Sequence, residues 1–179
     1  MMKSIHILAI DSALEAQALR AAAEYWGAAV TISWVGNARE VVNYFGSHPI
    51  HDLILIAGHG DERGLLLPSL AESIKEDYPF VDVIRPDDFK TFLALEQNVV
   101  LSTVCCGADE ELAAVFLSCG ARCYVGAKGY PDGNDALMYA LAFLFQYLVR
   151  GDEPAQAHQV SAGAADDRSL FCLKQSTPR

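Results

Sequence analysis

Apolar positions along this chain follow two alternating rhythms. Unbroken runs at residues 5–10, 29–35, 52–57, 99–104 and 122–125 read as buried strands. Between them, apolar positions recur every three to four residues, which predicts helices over 13–26, 37–45 and 109–117. Gly27, Gly46 and Gly120 stand where these helices should stop, and Asp11 or Ser12 and Asn37 stand where two of them should be capped. Strand and helix therefore alternate with short connections, the signature of a parallel sheet covered on both faces. Further on, a loop at 126–135 precedes a strongly apolar helix at 136–149, a last helix at 154–161 and a terminal edge strand at 169–173; the tail from 176 should fray. The segment from Gly60 to Asn98 is longer than such a fold needs. It reads as a turn at 61–64, a small hairpin strand at 65–67, a helix over 68–76 and, after Pro86, a helical segment over 88–95 capped by Asp87. Residues 79–84 read equally as a loop or a short strand. The expected architecture is one α/β domain over residues 1–179, a three-layer sandwich with a mostly parallel sheet of about six strands.

Two of the buried runs end in chemically unusual residues. The run at 53–57 is followed by Gly58-His59-Gly60, and the run at 99–104 by Cys105-Cys106-Gly107 and then a helix. In a parallel sheet both ends reach the carboxyl edge, where open α/β sheets place their ligands. A cysteine is a nucleophile only as its thiolate. A following helix N-terminus and a neighbouring histidine would both favour that form. The peptide N–H of the nucleophile, with N–H groups near Gly60, could hold an oxyanion, so the set suits acyl transfer. Against this stands the ordinary role of cysteine as a small buried hydrophobe. Glycines on both sides of His59 tip the balance towards an open, functional site. Alternation along a strand turns one of Cys105 and Cys106 towards the core, and the flanking pattern suits either.

Charge and cysteine content narrow the partners. A formal net charge of -10, with no basic patch, would repel a nucleic-acid backbone. The apolar helix is too short to span a bilayer, so no membrane partner is expected. Five cysteines and no recognisable signal peptide suggest a reducing, cytoplasmic setting. Cys119 and Cys123 lack a second close pair of ligands, and neither a metal nor another cofactor is expected. His6, His48, His51 and His158 read as structural or surface residues, and Trp26 and Trp34 as core or rim.

The strand ending in His59-Gly60 and the strand ending in Cys105-Cys106-Gly107, 46 positions later, together resemble the caspase-like cysteine peptidases. That group includes caspases, metacaspases, gingipains, clostripain, separase and the bacterial CHAT domains. The CHAT members are nearest in outline, because Gly120-Ala121-Arg122 and the glycine loop to Asp135 match the region after their nucleophile. The resemblance implies a caspase-like fold and a cysteine endopeptidase with a His-Cys dyad and an acyl-thioester intermediate. Cys105 would be the nucleophile and His59 its histidine, with Gly60 beside them; Cys106 and Gly107 would complete the motif and line the substrate. Two cysteines in a row depart from the family pattern and keep the nucleophile's identity open. Family members prefer acidic or basic residues on the acyl side of the scissile bond. Asp132 and Asp135 could pair with a substrate Arg or Lys, and Asp61 and Glu62 add to a negative field, which leans towards a basic substrate. Arg63, Arg85 and Lys128 are the few cations that could favour an acidic one. The expected partners are a peptide or protein substrate, a second copy of the chain, and an activating protein. The chain should work uncut, since its short loops offer no processing site.

Two rivals remain. Val104-Cys105-Cys106-Gly107-Ala108 also resembles the nucleophile turn of the DJ-1 and class I glutamine amidotransferase proteins, with Glu15 or His158 as the partner group. The other rival is a catalytically inactive caspase-like interaction module that dimerises through the apolar helix or the terminal strand. The side chain within reach of Cys105 (His59, Glu15 or His158) separates the two enzyme readings.

Overall fold

The computed structural model describes residues 2–77, 79–164 and 169–176, without the side chains of residues 74, 76 and 77. From the N-terminus, β1 (Ser4–Ile10) leads into α1 (Ala13–Tyr25), followed by β2 (Ala29–Val35), α2 (Ala38–Gly46) and β3 (Leu53–Ala57). A small antiparallel sheet follows: β4 (Gly60–Asp61), β5 (Gly64–Leu66) and β6 (Val83–Ile84), then the short helix α3 (Pro86–Phe89). The alternation resumes with β7 (Val99–Ser102), α4 (Glu110–Ser118), β8 (Cys123–Ala127), α5 (Gly133–Phe145), α6 (Pro154–Ser161) and β9 (Phe171–Gln175). The main sheet has six strands in the order β2-β1-β3-β7-β8-β9, parallel except for β9, which runs antiparallel to β8. This is the α/β sandwich, with helices on both faces, that the hydrophobic pattern predicts.

Both faces of the sheet are packed. Along β3, Leu53, Leu55 and Ala57 face one layer while Ile54 and Ile56 face the other. The first layer is filled by Ala16, Leu19 and Ala23 of α1 and by Tyr139, Phe143 and Leu144 of α5. Small residues on α1 let that helix lie close to the strands. The second layer is aromatic, with Phe45 of α2, Phe89 of α3 and Phe116 of α4 in mutual ring contact at 5.2–6.2 Å. Helix starts follow their caps: Asn37 accepts from the Arg39 amide at 3.0 Å, and Asp109 from the Glu111 amide at 2.9 Å.

Several boundaries differ from the sequence reading. The helix expected over 68–76 is instead a 3₁₀ segment, Glu72–Asp77, because the stretch has too few apolar positions to bury a helical face. The helix expected over 88–95 is the four-residue α3, and it starts at Pro86, so Arg85 rather than Asp87 is its cap. Proline fits the first helical position, where no N–H is needed, and the Arg85 amide donates to Asp88 at 2.8 Å. β7 ends at Ser102, after which the Thr103 amide still bonds the Ile56 carbonyl at 3.0 Å. β8 extends to Ala127 because β9 pairs with it to Phe171, and α5 begins at Gly133, so the glycine loop is shorter than expected. Of the expected tail, Ser176 donates to the Arg122 carbonyl at 3.1 Å, and residues 177–179 lie outside the described residues. Among the described residues, no helix is long and apolar enough to cross a membrane.

Candidate active site

The register Ile56↔Ser102 makes β3 and β7 neighbours, so their ends emerge side by side at the carboxyl edge. A cavity of about 400 Å³ opens there, lined by Gly58 and His59 after β3 and by Thr103 and Cys105 after β7. Ser12, Leu14 and Glu15 close it from the β1–α1 side, and Pro131, Gly133, Ala136 and Leu137 from the start of α5. His59 is exposed and Cys105 half-buried. The two share the cavity, but no hydrogen bond joins them among the described residues. His158 lies elsewhere, with Nδ1 at 2.6 Å from the Tyr139 hydroxyl.

A tight turn at 104–108 presents Cys105. The Gly107 amide returns to the Val104 carbonyl at 3.1 Å, the Asp109 amide to the Cys106 carbonyl at 3.0 Å, and the Ala108 amide reaches the Ala127 carbonyl at 2.7 Å. Cys106 sits at φ 55, a left-handed conformation uncommon for a side-chain-bearing residue. That twist separates the two thiols. Cys105 lines the cavity, whereas Cys106 does not and lies in electrostatic reach of Tyr130 and Glu62. The Cys106 amide is taken by the Gly129 carbonyl at 2.6 Å. Two glycines are dictated by this packing. A Cβ on Gly60 would lie 2.5 Å from the Cys105 carbonyl, and one on Gly107 would lie 2.8 Å from the Val104 carbonyl.

The helix-terminus activation expected for Cys105 is not realised. The turn intervenes before α4, whose first amides are capped by Asp109. Burial pushes the Cys105 thiol up from its ordinary value, its own amide hydrogen bond opposes that, and the negative charge of Glu15 pushes it up further.

The acidic residues assigned to the substrate are engaged otherwise. Asp61 binds the Arg63 guanidinium through Nε at 2.9 Å and Nη2 at 2.7 Å, which holds its carboxyl low. Asp132 is the N-cap of α5, accepting from the Asn134 amide at 2.8 Å. Asp135 lies in the first turn of α5 and does not line the cavity. The carboxylate in the cavity is Glu15: Ser12 Oγ donates to its Oε2 at 2.7 Å, while its Oε1 is buried with no partner. Sequence reasoning reaches Glu15 only as a partner for a DJ-1-like thiol. Its place in the first turn of the helix after β1 is the available signal. A second, more open depression of about 820 Å³ lies beside Glu62 and mixes Arg63 and Arg85 with carboxylates of α3 and α4. No group of three or more His, Cys, Asp or Glu among the described residues is placed to hold a metal.

No family model matches this chain, and no curated protein matches it. Solved structures do. The Arg-specific cysteine proteinase gingipain R superposes over 97% of this chain with a TM-score of 0.65 at 6% identity. Separase, from the Saccharomyces cerevisiae separase–securin complex, superposes over 97% with a TM-score of 0.58 at 12% identity. This chain spans 46% of the gingipain chain and 12% of the separase chain. At such identities the likeness is one of fold, and it defines the class: an α/β sandwich of the kind found in caspase-like cysteine proteases.

Proposed function

We propose that this chain is a cysteine peptidase with Cys105 as nucleophile and His59 as the proton carrier. The observation that carries the reading is that these two side chains, from adjacent parallel strands, line one cavity. In the proposed reaction His59 takes the proton from the Cys105 thiol, and the sulfur attacks the substrate carbonyl carbon. The oxyanion is held by the Cys105 amide, which donates to no backbone carbonyl among the described residues. Collapse breaks the C–N bond, the leaving amine takes the proton from His59, and an acyl-thioester remains. Water, deprotonated by His59, then cleaves it and restores the thiol. The substrate preference is for a basic side chain, through Glu15 rather than Asp61, Asp132 or Asp135. The Glu15 carboxylate lines the cavity and attracts a guanidinium or ammonium group, and neutralising Glu15 removes one obstacle to ionising Cys105.

The test is a panel of fluorogenic peptides with each residue before the reporter. Cys105→Ala should reduce cleavage to background, His59→Ala should lower it by about 10²–10⁴-fold, and Cys106→Ala should retain it. Glu15 in the same cavity as the thiol also favours the DJ-1-like reading. Hydrolysis that survives His59→Ala but not Glu15→Gln would select that rival.

A further inference from the structure

Two helices on one face of the sheet carry apolar residues on their outer sides. On α1, Leu14, Ala18, Ala21 and Tyr25 are exposed, at spacings of four, three and four. On α5 and the π-helical turn that ends it, Met138, Ala142, Phe145 and Val149 repeat the same spacings, with Met138 and Val149 exposed. The helices lie against each other, with the rings of Trp26 and Phe145 edge to face at 5.6 Å. Their outer stripes therefore form one surface, which reaches the cavity mouth at Leu14 and Leu137. On α1 large side chains stand at the ends of the stripe with Ala18 and Ala21 between them, and on α5 Ala142 leaves a gap between Met138 and Phe145. Arg20 and Glu24 pair with each other at 2.9 Å on the far flank of α1, and Arg150 lies over the Phe145 ring.

We propose that this face is a twofold interface between two copies of the chain, with α1 and α5 of one packing on those of the other. Size is the first argument. Leu14, Tyr25, Met138 and Val149, at 83%, 88%, 52% and 47% exposure, leave on the order of 500 Å² of side chain in water. With the residues between them, the face approaches the roughly 800 Å² that each partner gives a standard interface. Pattern is the second. A twofold interface brings a surface against itself, and a three-four spacing on both helices is the seam that interlocks with an identical seam. Charge is the third. The chain carries -10 overall, so an anionic membrane is repelled, and Arg150, over the Phe145 ring, is the one charge the described contacts place on the stripe.

The experiment is sedimentation velocity on the whole chain from about 1 to about 100 µM, the range in which a standard-size interface forms, with Ala18→Glu and Met138→Glu as separate variants. Both residues are exposed on the outer side of their helices, and circular dichroism and thermal melting serve to verify the fold. The wild type should dimerise, more tightly as salt screens the like net charges, and each variant should weaken association at least about 30-fold. A wild type that stays monomeric at the top of the range overturns the proposal. So does a dimer that both variants leave intact, or one broken instead by Leu173→Pro in the edge strand β9.

Discussion

Glu15 and Cys105 oppose each other in the resting site. Burial of the half-buried Cys105 thiol raises it above its ordinary value, and the Glu15 carboxylate adds to that. Glu15→Gln should therefore move the midpoint of Cys105 alkylation to lower pH. In the same variant KM should rise for Arg and Lys peptides and stay level for neutral ones; an unchanged alkylation profile would remove Glu15 from the site. A second residue-scale effect lies away from the site, on β1. His6 is buried, its Nε2 is 2.9 Å from Ser33 Oγ, and its ring lies against Tyr44 and His51. Its Nδ1, the Tyr44 hydroxyl and His51 Nδ1 are buried without partners. Burial, with a smaller contribution from His51, pulls His6 down from 6.5 to about 4. The unfolded chain thus binds the proton first as pH falls. The stabilising contribution is complete above pH 6.5 and is lost as pH drops towards 4, amounting to about 3 kcal/mol at most. His51 is shifted in the same direction. Urea midpoints measured across this interval should show a shallower pH dependence in His6→Gln than in the wild type.

At the level of elements, the turn at 104–108 depends on close backbone contact with β8. A Cβ on Gly126 would stand 2.6 Å from the Gly107 carbonyl and 2.8 Å from the Ala108 amide, and backbone atoms cannot swing aside as side chains do. Gly126→Ala should cost about 2–3 kcal/mol, read as a lower melting temperature. Because the turn must shift, cleavage should fall further than the loss of folded protein explains. The regular elements are legible in the sequence where their pattern is local. The five parallel strands are runs of apolar residues, and Asn37 and Asp109 mark helix starts by chemistry that spans only a few residues. Less legible are elements defined by a distant partner. The extent of β8 depends on pairing with β9, which lies more than forty residues away, and a single run of residues holds no record of that. Between Gly60 and Asn98 the sequence reads as more helical than the structure is, because capping signals are present where no buried face is available to reward a helix.

Across the whole molecule, charge and the proposed chemistry should act together. A chain of net charge -10 attracts cationic substrates through a field that salt screens. kcat/KM for an Arg-containing peptide should fall severalfold from about 20 to about 200 mM salt, while that of a neutral peptide stays nearly flat. Equal salt dependence for both would count against a cationic substrate. The α/β alternation, the order of the strand ends and the arrival of His59 and a cysteine at one edge of the sheet are all written in the residue order. Apolar periodicity and strand polarity are properties of the chain read from one end to the other. Packing, by contrast, decides which thiol faces the cavity, because the left-handed twist at Cys106 is set by contacts with β8 and Gly129. It also decides which carboxylate is available. Asp61, Asp132 and Glu15 are alike in sequence as acids in turns or early helix. Only the folded arrangement gives one an arginine, one a helix end, and the third a place in the cavity beside Cys105.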